Sequence, residues 1–138
     1  TSLREQLASQ TVDSDIYLHN ELIMVADTKE VNEEWRVFVV KDEIFISQYR
    51  KDGRSYVSNE LGKKDKLAVT CLAKTFNPLQ DKPYVVDICT TGSGFFKKYF
   101  ILEYNCIQCS GFYKHDANDI LHALIWNYCD PLIKDYVE

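Results

Sequence analysis

Glu34-Trp35-Arg36-Val37-Phe38-Val39-Val40 is the stretch on which the fold turns. Trp35, Val37 and Val39 alternate to one side, as the two-residue period of a strand against a core requires, and Arg36 projects to the other. Lys41-Asp42-Glu43 turns the chain, and Ile44 to Arg50 returns as a second strand. The two pair as a hairpin, closed by the turn chemistry of Lys51-Asp52-Gly53-Arg54.

Upstream, Thr1 to Gln10 reads as a short helix, because Ser2 and Glu5 make a capping box and Leu3 and Leu7 lie one turn apart. Asp15 to Val25 reads as an extended segment bent at His19, Asn20 and Glu21, and a polar turn over Asp27 to Asn32 follows. Downstream, Ala68, Cys71, Leu72 and Phe76 recur at helical spacing between Lys64 and Phe76, and Asn77-Pro78 supplies the stop. Tyr84 to Thr90 and Lys97 to Asn105 form a second hairpin across Thr91-Gly92-Ser93-Gly94. A last helix runs from about Asp116 to Cys129, with Ile120, Leu121, Leu124, Ile125 and Tyr128 as its apolar face. The order β-β-β-α-β-β-α, joined by hairpins, predicts an α+β domain: an antiparallel sheet of two hairpins with its helices on one face.

The chain of 138 residues fits one domain over 1–138, short for an enzyme that must enclose a nucleotide and a second substrate. With 46% apolar, 27% charged and 13% aromatic residues it has the composition of a folded globular protein. A net charge of -5 speaks against nucleic acid and anionic membranes as partners, since both need clustered cations. The small basic groups, at Arg50, Lys51 and Arg54, at Lys63, Lys64 and Lys66, and at Lys97 and Lys98, read as solvated turns. No apolar run reaches the ~20 residues of a membrane span and no signal peptide opens the chain, so the expected location is cytoplasmic. Five cysteines without a regular framework read as reduced thiols. Cys106-Ile107-Gln108-Cys109 has the spacing of a zinc or redox pair, but lacks the second pair of a structural zinc site, and its cysteines read as small hydrophobes. His19 and His122 read as surface or core histidines, and Tyr99, Phe100, Tyr104, Phe112 and Tyr113 as packing aromatics.

Arg36, Asp87, Glu103 and Asn105 sit where a strand pattern calls for apolar residues, and unpaired burial of such groups is costly. Asp87 interrupts Tyr84-Val85-Val86-Asp87-Ile88-Cys89; Glu103 and Asn105, two apart, project from one face of their strand. Whether Asp87 faces Glu103 depends on a register that a one-residue slip reverses. If they converge, two carboxylates and an amide oxygen make a hard site suited to Mg²⁺, with Arg36 beside it as a partner for phosphoryl oxygens. The alternative is a cross-strand ion pair of Arg36 with Glu103 on a solvated face, with Asp87 on an edge strand.

In order along the chain, Glu34-Trp35-Arg36-Val37-Phe38-Val39, Ser47-Gln48-Tyr49-Arg50, Val85-Val86-Asp87, Leu102-Glu103-Tyr104-Asn105 and Ser110-Gly111-Phe112-Tyr113 resemble the carboxy-terminal lobe of ATP-grasp enzymes. The resemblance, over roughly Tyr17 to Trp126, is to a divergent clade that includes a eukaryotic cell-division factor promoting translation-initiation-factor assembly and bacterial and phage relatives. It implies an ATP- and Mg²⁺-dependent ligase joining a carboxylate (of a small molecule, peptide or protein) to an amine or similar nucleophile through an acyl-phosphate. By the same resemblance Arg36 is the phosphate-contacting, catalytic arginine, Asp87, Glu103 and Asn105 are metal ligands, and Asn20 and Glu21 meet adenine and ribose. A first lobe carrying the phosphate-holding lysines would precede Thr1, so the isolated chain is expected to be inactive. The other implied reading is an interaction module that keeps half of the fold without catalysis.

Overall fold

The computed structural model describes residues 27–75 and 82–129. The helix expected over Thr1 to Gln10 and the bent segment with Asn20 and Glu21 lie outside the described residues. Five strands, β1 (Glu33–Val40), β2 (Glu43–Lys51), β3 (Arg54–Ser58), β4 (Tyr84–Thr91) and β5 (Lys98–Asn105), form one sheet in the order β3-β2-β1-β4-β5. Every neighbouring pair is antiparallel. The helices are α1 (Lys63–Thr75) and α2 (Ala117–Tyr128).

Both expected hairpins are present, and β1 joins them by pairing with β4. A further strand, β3, was not expected from the sequence, and the extended segment expected over Asp15 to Val25 lies outside the described residues. Asp52 and Gly53 both adopt positive φ (50° and 70°), the turn that lets two antiparallel strands keep their twist, so the chain reverses into β3. Between β4 and β5, Gly92 is required by its backbone: at φ 69° a Cβ would lie 2.7 Å from the Phe96 carbonyl oxygen. A short 3-10 turn, Gly94–Phe96, completes that connection.

The sheet is covered on both faces, where the sequence predicted helices on one. Trp35, Val37 and Val39 of β1 pack with Tyr84, Val86 and Ile88 of β4 against Val69 and Ala73 of α1. On the opposite face Phe38 and Val85 pack against Ile120 of α2. The cause is visible in β1, whose Val37, Phe38, Val39 and Val40 are all buried: a strand apolar on both sides needs cover on both sides. The helix faces shift accordingly. Cys71 is exposed while Val69 and Ala73, one turn apart, are buried, and on α2 Leu121 and Tyr128 face solvent while Ile120 and Ala123 face the sheet.

Polar contacts fix where the helices sit. The Tyr84 hydroxyl donates to the Ala73 carbonyl at 2.7 Å and ties the end of α1 to β4. At the other end of α1, Asp65 accepts from Lys97 (2.6 Å) and from the Tyr99 hydroxyl (2.5 Å) beside β5. The Asp116 side chain caps α2 by accepting from the Asn118 backbone N–H at 2.8 Å, satisfying one of the donors a helix start leaves open.

Phe38 carries much of the α2 face: it is fully buried, stacks on Phe112 with centroids 5.3 Å apart, and takes the His115 ring edge-on at 4.9 Å. Phe38→Ala is expected to lower stability by about 3–5 kcal/mol in urea unfolding of the full chain. A loss below about 1 kcal/mol, the scale of an average substitution, would show that α2 is not packed on this face.

Candidate metal and phosphate site

Three central strands bring the singled-out side chains together. Arg36 of β1 is the register partner of Asp87 of β4, and Asp87 is the partner of Glu103 of β5. The register question therefore has a definite answer, and the acids converge. Immediately beyond, the pairing slips between Asp87 and Ile88, a bulge of the kind that re-aims side chains at sites. Asn105 follows on the same face as Glu103 and donates its amide to Glu103 Oε1 at 2.9 Å.

Arg36 and Asp87 form a two-point pair, Nε to Oδ1 at 2.8 Å and Nη2 to Oδ2 at 2.5 Å. Their side chains are 11% and 3% exposed, so the pair lies at the floor of the site. Arg36 pairs with Asp87, not with Glu103, and Asp87 stands on an interior strand, so the cross-strand alternative of the sequence is not the arrangement found. Glu103 is exposed and Asn105 half-buried. The four residues thus run from a buried cation and carboxylate to an accessible carboxylate and amide.

Aromatic rings hold the arginine in place. At the register shift between Glu34 and Trp35, β2 has one residue more than β1, namely Tyr49. Its ring stacks on Tyr113 at 4.7 Å with planes 5° apart, and the Arg36 guanidinium lies 5.0 Å from the Tyr113 centroid and 5.8 Å from that of Tyr49. Such contacts favour a planar cation over a ring face. The third nitrogen, Nη1, donates to the Gly111 carbonyl at 3.4 Å, and the Arg36 backbone carbonyl lies 3.2 Å from His115 Nε2. Next to this row, Arg50 pairs with Glu34 at 3.2 Å, and the Ser47 hydroxyl, partnered in register with Arg36, is fully buried with no hydrogen bond among the described residues.

The electrostatics follow from burial and neighbours. Burial pushes the Asp87 carboxyl above its usual range; Arg36 pulls it down and the adjacent Glu103 pushes it up, and the net direction is up. The hydrogen bonding it donates to Asp87 holds the Arg36 guanidinium above its ordinary value, with burial opposing. Burial raises the Tyr49 phenol, with the Asp87 charge second, and lowers the His115 imidazole. A permanently charged guanidinium is therefore the group that keeps Asp87 usable as an anion.

Two carboxylates and one amide are oxygen donors of the type Mg²⁺ takes, one or two carboxylates with the remaining positions left to water and phosphate. Among the described residues no cluster of three or more His, Cys, Asp and Glu side chains occurs, and the present set contains only two such groups. In the arrangement found, Asp87 gives both oxygens to Arg36, so a cation at this carboxylate and the guanidinium compete for it. Tyr113, read from sequence as a packing aromatic, stacks on Tyr49; Tyr49, Ser47 and His115 were not placed in the site from sequence, and the bulge that places Tyr49 depends on pairing, which residue patterning does not reveal.

Residues 4–123 match an ATP-grasp domain family, the second family of its clade. The chain belongs to this family, which carries ATP binding and ligase-type chemistry. No curated protein and no solved structure matches the chain. Among the described residues no helix is long and apolar enough to cross a membrane.

Arg36→Met leaves Asp87 buried without its partner and is expected to cost about 3–5 kcal/mol, read by denaturant unfolding. Adding Asp87→Leu should recover most of that loss, because the penalty is an uncompensated carboxyl rather than a missing contact. Equal, additive losses in the two single variants and the double variant would contradict the pairing.

Proposed function

We propose that this domain supplies the Mg²⁺- and phosphate-holding surface of a ligase that uses ATP to join a carboxylate to an amine or similar nucleophile. The observation that carries the proposal is the register that sets Arg36, Asp87 and Glu103 side by side on three adjoining strands, within a chain of ATP-grasp family.

Transfer of the γ-phosphoryl group to a carboxylate gives an acyl-phosphate and ADP; attack by the amine then forms the amide and releases phosphate. No protein nucleophile takes part, so the chain's share is positioning and charge neutralisation. Asp87, Glu103 and Asn105 would hold Mg²⁺ by their oxygens, with Glu103 as the most accessible, and the ion would supply positive charge toward the phosphates. Arg36, held beside the stacked Tyr49 and Tyr113 rings, presents N–H groups whose directions match phosphoryl oxygens as well as carboxylate. Exchange of one Asp87 oxygen for a phosphoryl oxygen would free that carboxylate for the cation, at no change in the count of charged contacts. In this proposal Asn20 and Glu21 meet the adenosine, a first lobe covers the phosphates, and the carboxylate substrate is a small molecule, peptide or protein.

The second reading, an interaction module without catalysis, is favoured by one observation: the Arg36–Asp87 pair is closed upon itself. Calorimetric titration of the complete protein with ATP and Mg²⁺ separates the two. The ligase reading predicts Mg²⁺-dependent binding that Glu103→Gln weakens at least tenfold, about 1.4 kcal/mol. Because Glu103 is exposed, stability should stay within about 0.5 kcal/mol of the parent. Unchanged affinity in Glu103→Gln would remove Glu103 from the site, and no Mg²⁺-dependent ATP binding at millimolar concentration would leave the interaction module standing.

A further inference from the structure

Asn105 ends β5, and the chain then makes a single 3-10 turn, Ile107–Cys109, before it reaches Gly111. Cys106 stands at the start of that turn in an extended conformation (φ -78°, ψ 153°), and the Cys109 backbone N–H donates to the Cys106 carbonyl at 3.2 Å. The Ser110 hydroxyl donates to the same carbonyl at 3.1 Å and tightens the loop. A reversal closed by such a bond holds its end Cα atoms within about 7 Å. A disulfide needs them about 4.4–6.8 Å apart, so the backbone is already shaped for one.

The two side chains are electrostatic neighbours as well. A hydrogen bond with the Cys106 sulfur raises the Cys109 thiol above its ordinary value. Neither residue is a core hydrophobe, since Cys109 is exposed and Cys106 half-buried, in contrast to Cys89, which β4 buries. A zinc site would need further ligands. Among the described residues no third His, Cys, Asp or Glu joins the pair, and His115 is engaged instead with the Arg36 carbonyl.

We propose that Cys106 and Cys109 are a dithiol–disulfide couple, a redox-modification site that exchanges with small-molecule disulfides such as oxidised glutathione. The exposed Cys109 thiolate attacks one sulfur of the oxidant, forming a mixed disulfide and releasing one thiolate. The Cys106 thiolate then attacks the Cys109 sulfur, forming the intramolecular bond and releasing the second. Two protein thiols are oxidised, one disulfide is reduced to two thiols, and the two protein protons pass to the released thiolates. The rate rises with pH, because the thiolate is the nucleophile. The bond staples the short connection between Asn105 and the Gly111 carbonyl that accepts from Arg36, so the couple sits on the turn that relates these two parts of the site.

The test uses the full chain in graded mixtures of reduced and oxidised glutathione, quenched with iodoacetamide and read by peptide mass spectrometry. Cys106 and Cys109 should lose alkylation together, in a peptide lighter by two hydrogens, while the exposed Cys71 is alkylated or carries glutathione. In Cys109→Ser the remaining Cys106 should stop at the glutathione adduct. Persistent adducts on both cysteines of the parent chain, independent oxidation of the two, or a bridge that forms only in denaturant would overturn the proposal. The readout is thiol chemistry alone, so it stands or falls apart from ATP binding.

Discussion

A carboxylate on an interior strand of a sheet must have a partner, and the pairing of Asp87 with Arg36 is the constraint around which this domain is arranged. Asp87 is 2% exposed, with β1 on one side and β5 on the other. Left alone, it would be protonated or would destabilise the sheet by several kcal/mol. The guanidinium meets it through two parallel N–H bonds across the β1–β4 register. That register in turn decides which face of β1 carries Trp35, Val37 and Val39 to α1 and which carries Phe38 to α2. Site and core are set by the same alignment, because slipping either strand by one residue would bury the charges among the valines.

The surroundings of Arg36 favour a fixed guanidinium over a mobile one. Tyr49 and Tyr113 stack beside it, the Gly111 carbonyl takes a third nitrogen, and the Phe38, Phe112 and His115 rings pack together on the same face of β1. A group so placed loses little further freedom on meeting a phosphoryl oxygen, which is the sense in which a site is organised before its ligand arrives. Glu103 and Asn105, by contrast, lie at the accessible side. Under the proposed function this polarity puts the permanent cation at the floor and the metal ligands toward the nucleotide.

Much of this was legible in the residue pattern, and the parts that were not have physical reasons. Four of the strands follow from alternation and turn chemistry, and Arg36, Asp87, Glu103 and Asn105 stood out as polar residues in apolar strands. β3 was missed because most of it is exposed, leaving no apolar face to detect, although Asp52-Gly53 is a strong hairpin signal. The covering of both faces was foreshadowed by the unbroken run Val37-Phe38-Val39-Val40, which a strand covered on one face would not carry. The Arg36–Asp87 partnership depends on β1 lying beside β4, an adjacency of residues 51 apart that local pattern does not encode. The Tyr49–Tyr113 stack depends on a bulge, and the meeting of Cys106 and Cys109 on a single 3-10 turn.

The central claim, that the Asp87–Glu103–Asn105 row receives a divalent cation with its nucleotide, is tested most directly by paramagnetic broadening. Mn²⁺ replaces Mg²⁺ at oxygen sites, and its unpaired electrons broaden nearby amide signals in the NMR spectrum of the complete protein with ATP present. The account predicts loss of signal centred on Asp87, Glu103 and Asn105 and fading toward β3 at the opposite edge of the sheet. Broadening centred elsewhere on the sheet, or spread evenly over its acidic surface, would contradict it.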